Sequence, residues 1–443
     1  MSAAECPDRR FTMLAVVGLV TVLLVLISIL TKKLSTMCAL ISVPIVACLI
    51  LGLGGDMGKF MMAGIKSVAP TGAMFIFAVL FFTIMGDTGV FERIVNKILS
   101  IVGSNPIKIC IGTYVITLLT HLDGSGASTF LITVPAMLPI YEKLKMDRRI
   151  LATIVALGAG TMNIVPWGGP TIRAATALEI PVMDLFAPMV IPQIIGMLAG
   201  IAIAVMFGMK EKRRLGADLM NISLEPAPLS DEEAALRRPK FFWFNLLLII
   251  ATVALLVKGT LPPAGCFMVA LVLALMVNYP NLKTQGQLID THAKSALMMA
   301  SVLFAAGIFT GIMKGAGMLN AMAQGLVTII PEALAAHFAV IIGVISMPAS
   351  LLFDPDSFYF AVLPVLAQAA DAVGLAGIDL GRAAICGQMT LGFPISPLTP
   401  STFLLVGLAG VDFGEHQKHT FFWAWLVSLI ILFSAVLVGS IPL

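Results

Sequence analysis

Met162-Asn-Ile-Val-Pro-Trp-Gly-Gly-Pro-Thr171 interrupts what would otherwise be one long apolar helix over about 150–178. Pro166 and Pro170 each remove a backbone donor and bend a helix, so the segment cannot run through unbroken. Non-helical backbone is tolerated at membrane depth only where protein or a water-filled cavity satisfies it. The second half of the chain carries a matching interruption, Phe393-Pro-Ile-Ser-Pro-Leu-Thr-Pro-Ser401, inside the apolar run 382–408. Two further breaks precede these. His121-Leu-Asp-Gly-Ser-Gly-Ala-Ser-Thr-Phe130 reads as the turn of a re-entrant hairpin, and Phe353-Asp-Pro-Asp-Ser-Phe358 as its partner. Broken segments at matched positions in two halves are the sequence pointer to a transporter's binding site.

The matching comes from an internal repeat, visible when the chain is slid by about 229 residues. Thr83-Ile-Met85 and Gly89 fall on Thr310–Met313 and Gly317, Ser128 and Pro135 on Ser357 and Pro364, Pro170-Thr171 on Pro400-Ser401, and Asp184 on Asp412. The domain reading is therefore a first half 1–215 (hairpin about 121–141, broken helix about 150–178), a linker 216–240, and a second half 241–443 (hairpin about 353–371, broken helix about 382–408).

Composition agrees. Hydrophobic residues make up 59% of the 443 and charged residues only 12%, more apolar surface than one soluble core could hide. Apolar runs lie at about 12–30, 36–54, 69–86, 107–120, 150–178, 185–208, 241–258, 262–278, 296–313, 336–352, 382–408 and 420–441. The fold class expected is an all-α polytopic membrane protein of about 11–12 transmembrane helices in two repeats. Inverted repeats need an odd number of crossings each, so with six runs per half one run does not fully cross or lies outside the repeat; the pair joined through Pro262-Pro263 is one candidate. The run Phe11–Leu30 is too long for a signal-peptide core and reads as a retained first helix. The loop with Lys143, Lys145, Arg148 and Arg149 and the linker with Lys210–Arg214 and Arg237–Lys240 lie two crossings apart, so both can be cytoplasmic.

Several function classes drop out. The net charge of +3 resides in loops between apolar runs, which gives nucleic-acid binding no support. The six cysteines are scattered without metal-ligand spacing. Asp87-Thr-Gly89 spells an aspartic-protease triplet, but its repeat partner is Lys314-Gly-Ala; it reads as a helix end before an interfacial amphipathic segment. Gly124-Ser-Gly126 resembles an intramembrane serine-protease turn, but no histidine is suitably placed on a later membrane helix, and His121 reads as an interfacial histidine. The chain is not read as an enzyme.

The chemistry offered at the breaks suits an oxyanion and a cation together. Freed amides, hydroxyls and helix N-termini suit carboxylates. Asp123, Ser125, Ser128 and Thr129 supply oxygens at the first tip, and Asp123, Asp354 and Asp356 suit a hard divalent metal or protons. Arg173, just beyond the first broken segment, has two readings: a partner for a substrate carboxylate, or for one of the aspartates.

Leu122-Asp-Gly-Ser-Gly-Ala-Ser-Thr-Phe-Leu-Ile-Thr-Val-Pro135 and Met162-Asn-Ile-Val-Pro-Trp-Gly-Gly-Pro-Thr-Ile-Arg-Ala-Ala175 resemble the CitMHS family of citrate–metal:proton symporters, as do Met13–Leu53 and Pro394–Gly410. The resemblance implies uptake of citrate as a divalent metal complex, coupled to protons, through the bacterial inner membrane. It implies a scaffold and a transport domain moving by an elevator-like mechanism, and a homodimer. No cofactor is implied as permanently bound; the metal (magnesium, calcium or another) is co-transported. By that analogy the site is lined by Asp123, Ser125, Ser128, Thr129, Asn163, Gly168, Gly169, Thr171, Arg173, Ser357, Ser396, Thr399 and Ser401, with Asp354 and Asp356 beside Asp123 for metal or proton coupling. The alternatives are a sodium-coupled di- or tricarboxylate transporter of a neighbouring family, and a channel or cation–proton antiporter without organic substrate.

Overall fold

The computed structural model describes residues 9–215, 231–327 and 337–443, and the regular structure in them is helical throughout. The first half runs α1 (Arg9–Leu30), α2 (Thr36–Ile50), α3 (Met57–Asp87), α4 (Val90–Val102), α5 (Pro106–Thr120), α6 (Gly126–Lys143), α7 (Arg148–Met162), α8 (Gly169–Ala177), α9 (Val182–Phe186) and α10 (Val190–Leu215). A short α11 (Asp231–Leu236) lies in the part of the linker that is described. The second half then passes through a similar order: α12 (Phe242–Lys258), α13 (Pro263–Asn278), α14 (Leu282–Gly315), α15 (Met318–Val327) and α16 (Phe338–Ala349). A π-helical turn, Ser357–Val362, leads into α17 (Leu363–Ala372), followed by α18 (Gly377–Ile385), α19 (Pro400–Ala409) and α20 (Phe413–Leu437).

Among the described residues, six helical stretches are long and apolar enough to cross a membrane: Phe11–Ile29, Met57–Asp87, Val182–Leu215, Pro239–Lys258, Leu282–Gly315 and Phe413–Leu437. Shorter apolar helices accompany them. The outer faces are apolar too. Val16, Leu19, Leu23 and Ile27 on α1, and Leu247 and Ile250 on α12, stand exposed, which suits lipid as the solvent.

The run 107–120 has a different role from a full crossing. It forms α5, whose 15 residues rise about 22 Å, short of a hydrocarbon core of roughly 30 Å. Thr120 passes straight into the 3₁₀ turn His121–Asp123, and α6 returns against α5. The first hairpin is therefore α5 plus α6 with its tip at 121–125, longer than the expected span because its ascending arm reads as a spanning run. In the second half α16 and the Ser357–Ala372 segment flank the tip at 350–356 in the same way.

The longest helices, α3 and α14, occupy equivalent places in the two halves and cross antiparallel. Gly64 sits against Gly307 and Gly311 near one end, and Asp87 meets His292 at 2.7 Å towards the other. A side chain at Gly64 would strike the Gly307 carbonyl. Such small residues let two backbones approach closely where lipid supplies no hydrophobic drive. Asp87 does end α3, Gly89 follows with φ +79°, and α4 begins at Val90.

The two basic loops meet. Asp147 caps α7 through its side chain, and its own N–H donates to Glu211 Oε2 at 3.0 Å. Arg214 donates to Glu211 at 2.6 Å and to the Lys145 carbonyl at 2.5 Å. The end of α10 is thereby fastened to the α6–α7 loop on one side of the molecule. Glu211 is buried, so Glu211→Ala leaves an amide and a guanidinium short of an acceptor. The expected result is a loss of roughly 1–3 kcal/mol, read as a lower unfolding temperature in detergent.

Candidate functional site

Each tip is built by an aspartate that bonds its own turn. Asp123 Oδ1 accepts from the Ser125 N–H at 2.8 Å, and Oδ2 accepts from the Ser128 hydroxyl. Gly124 takes φ +72° to make the turn, and Ser125 caps α6 by accepting from the Ser128 N–H. In the second half Asp354 Oδ1 accepts from the N–H groups of Asp356 and Ser357, both at 3.0 Å, and Oδ2 from the Ser357 hydroxyl at 2.5 Å. Ser128 and Ser357, matched by the sequence repeat, thus play one part: each donates to its tip's aspartate.

The first break spans Asn163–Gly168. α7 ends at Met162, Gly168 N–H closes a turn on the Val165 carbonyl at 2.8 Å, and α8 starts at Gly169 with Pro170 in its first turn. The second break is longer than its sequence suggests. The expected interruption begins at Phe393, whereas α18 already stops at Ile385 and irregular backbone continues to Thr399, with one 3₁₀ turn at Phe393–Ile395. Glycines allow this crowding. A Cβ at Gly387 would meet the Met347 N–H, and one at Gly392 would strike Ser350. Met389 takes φ +52° between them.

The two tips and two breaks converge. Trp167 Nε1 donates to the Leu122 carbonyl at 2.6 Å, joining the first break to the first tip. Asn163 Nδ2 donates to the Met389 carbonyl at 3.0 Å, joining the breaks to each other. Ser396 Oγ donates to the Ser350 carbonyl at 2.5 Å, and the Met389 N–H donates to Ser350 Oγ at 2.9 Å, joining the second break to the second tip. His121 stacks on Phe393 with ring centroids 5.7 Å apart, and Gly126 lies against Phe393 and Ser401, joining the first tip to the second break. The circuit closes where Arg173 Nε donates to Asp356 Oδ1 at 2.7 Å.

That ion pair realises one of the two readings of Arg173, an aspartate partner, and leaves the rest of the guanidinium unused. Arg173 is buried and, among the described residues, donates only through Nε; Nη1 lies over Gly169 at the start of α8. The first N–H groups of α8 and α19 have no partner within their helices. Thr171 Oγ1 is buried without a hydrogen-bond partner among the described residues. Thr399 caps α19 in position only, its hydroxyl contacting the Met389 sulfur at 3.6 Å. The cluster therefore offers one buried guanidinium, two helix N-termini and free hydroxyls, a set suited to carboxylate oxygens.

The aspartates do not form a metal cage. Asp123 and Asp354 turn to their own tips, Asp356 turns to Arg173, and no group of three or more His, Cys, Asp or Glu among the described residues could hold a metal ion. Thr129 and Ser357 are buried within their tips rather than presented outward. Residues that the sequence reading does not assign to the site join the cluster: Trp167, Ser350, Gln388 and Phe393. The signal for Gln388 is its place beside Thr390 in an otherwise apolar run.

A family model described as citrate transporter, CitMHS, matches residues 8–392. A citrate transporter of Bacillus subtilis (strain 168) is 47% identical over 97% of this chain and all of its own length. The Mg(2+)/citrate complex secondary transporter of the same organism is 42% identical over 97% of this chain and all of its own. Among solved structures, the YdaH transporter of Alcanivorax borkumensis, described as having an unusual topology, superposes with a TM-score of 0.63 at 15% identity, covering 97% of this chain and 98% of that one. That likeness concerns the fold alone.

Proposed function

The chain belongs to the CitMHS citrate transporter family, and from that premise we propose that it imports citrate as a complex with a divalent metal, coupled to protons. The observation that carries the proposal is the convergence of both tips and both breaks on one another, with the buried Arg173–Asp356 pair as one of the links. Trivalent citrate with one divalent metal bears a single net negative charge, which the two helix N-termini and the N–H groups that Arg173 does not spend on Asp356 can attract. The metal travels inside the complex, held chiefly by citrate oxygens, so the protein needs no cage of its own. Arg173 and the first amides of α8 and α19, with Thr171, Thr399 and Ser401, bind the citrate oxygens that the metal leaves free. Asp123 and Asp354 hold the tips in shape, and Asp356 holds Arg173 in place.

The transport cycle we propose is an elevator. α1–α3 and α12–α14 form the scaffold, and the tips, breaks and their flanking helices move against it. The antiparallel crossing of α3 and α14 supports an inverted relation of the halves. So does the count: with one hairpin arm set aside in each half, five runs remain, the odd number inversion requires. Two copies associate through the scaffold, as the family resemblance implies.

The test is uptake of labelled citrate with magnesium into proteoliposomes under an inward proton gradient in sodium-free buffer. Uptake that follows the proton gradient and needs the metal supports the reading. Uptake that needs sodium and ignores divalent metals would assign the chain to sodium-coupled carboxylate transport instead.

A further inference from the structure

We propose that the cleft between the start of α4 and the start of α12 binds a phosphate, that of an anionic membrane lipid, with Arg93 as its principal contact. The cleft belongs to neither tip and neither break, and the citrate reading does not call on it.

The path of the chain builds it. Arg237-Arg238 docks on the end of α3: the Arg238 N–H donates to the Thr88 carbonyl at 2.9 Å, and Arg237 Nη1 donates to the Gly86 carbonyl at 3.4 Å. Gly89, at φ +79°, turns the chain into α4 directly against the Arg237 side chain. Between that turn and Phe242 lies a cavity of about 300 Å³, whose wall carries Arg93, Arg237 and Arg238 against one carboxylate, Glu92. Asp87, at the end of α3, is taken by His292 at 2.7 Å. The wall therefore has a surplus of positive charge.

The three arginines are not equally engaged. Arg238 Nε donates to the Asn278 carbonyl at 2.8 Å, and its guanidinium lies 4.5 Å from the centre of the Tyr279 ring, so it serves the wall itself. Arg237 gives Nη2 to Glu92 at 2.5 Å, but its Nε is buried without a hydrogen-bond partner among the described residues. Arg93 makes no ion pair and no hydrogen bond among the described residues; its guanidinium lies over the Phe242 ring, 4.5 Å from the centroid. A guanidinium held in that way keeps its fork of N–H groups for phosphate oxygens. Gly89 supplies no side-chain cap, so the first N–H groups of α4 add to the attraction for an anion.

The surroundings favour a lipid as the source of the phosphate. Phe241 and Trp243 stand exposed at the start of α12, as aromatic residues do at headgroup depth. Trp243, Leu247 and Ile250 form one exposed stripe that runs along α12 from the cleft, an apolar track for acyl chains. Lys240, next to the lining Pro239, adds an exposed cation. Basic side chains at the membrane surface attract anionic lipids. A soluble phosphate has a use for the arginines but none for the stripe. α4 runs on towards α5, so the bound lipid sits beside the helix that joins α3 to the first hairpin.

Native mass spectrometry of the intact protein in detergent, titrated with phosphatidylglycerol or phosphatidylcholine, tests this. The wild type is expected to bind phosphatidylglycerol at least about fivefold more tightly than phosphatidylcholine. Arg93→Gln removes a cation that no protein group depends on, and Asn96→Asp sets a carboxylate in the same wall. Each is expected to weaken phosphatidylglycerol about fivefold at an unchanged melting temperature, and Lys210→Gln, an exposed cation outside the cleft, less than about twofold. Equal binding of the two lipids would overturn the proposal, as would wild-type affinity in both cleft variants or an equal loss in Lys210→Gln. A competition with millimolar inorganic phosphate separates the sources. The lipid is expected to stay bound, and its displacement would assign the cleft to a soluble phosphate and overturn the lipid assignment.

Discussion

Arg173→Gln is expected to cut metal–citrate uptake about a hundredfold. Arg173 is the buried cation that ties the helix after the first break to the second tip, and its Nη groups remain available for a carboxylate after Nε has bonded Asp356. Charge-assisted, potentially bidentate bonds of that kind contribute roughly 2–3 kcal/mol, a factor of about 30–200. Part of the loss in the single variant comes from Asp356, left with an uncompensated charge in a mostly buried position. The double variant Arg173→Gln/Asp356→Asn separates the two effects. It is expected to recover the abundance and thermal stability of the wild type while uptake stays lost. Measuring both quantities on both variants checks the assignment. Restored uptake in the double variant would reduce the pair to a structural strut.

Gly168→Ala is expected to lower uptake about tenfold or more and to destabilise the protein by roughly 1–3 kcal/mol. The backbone of Gly168, at φ −67° and ψ 142°, is one that alanine adopts readily. The objection is purely steric. A methyl group there would run into the Asn163 carbonyl oxygen and press on that of Val165 at 2.9 Å. Both are main-chain atoms of the turn that sets the direction of α8, and Asn163 is tied to the second break through Met389. To make room, α8 must tilt, and Arg173 moves with it. Gly169→Ala provides the contrast, since a methyl there meets only the end of the Arg173 side chain. Its effect is expected on citrate affinity more than on stability. Parallel melting curves and uptake rates would show whether the two glycines separate in this way.

Much of this arrangement is legible from residue types. Pro166, Gly168 and Pro170 announce the first break, and Asp123-Gly124-Ser125-Gly126 announces the first tip, because helix interiors rarely accept those residues together. Other features are silent. α5 is as apolar as a crossing helix and differs only in stopping at His121, so its role as a hairpin arm emerges from the path of the chain. The second break opens at Cys386-Gly-Gln-Met-Thr-Leu-Gly392, which has no proline and reads as a continuing helix. The positions of Asp123, Asp354 and Asp356 are plain in the sequence, but the direction of a carboxylate is not. Two of them turn back to cap their own tips and the third reaches the other half of the chain. His121 reads as an ordinary interfacial residue, yet its ring is fully buried and bonded to Thr129 Oγ1, a contact that no spacing reveals.

The most direct measurement of the central claim is a dual-label uptake experiment on the reconstituted protein, with labelled citrate and labelled calcium or manganese counted in the same vesicles under an inward proton gradient. The account predicts that citrate and a supporting metal enter together in equal amounts, and that a chelator such as EDTA abolishes entry of both. Citrate entering at an undiminished rate in the chelator, with no metal accompanying it, would contradict it.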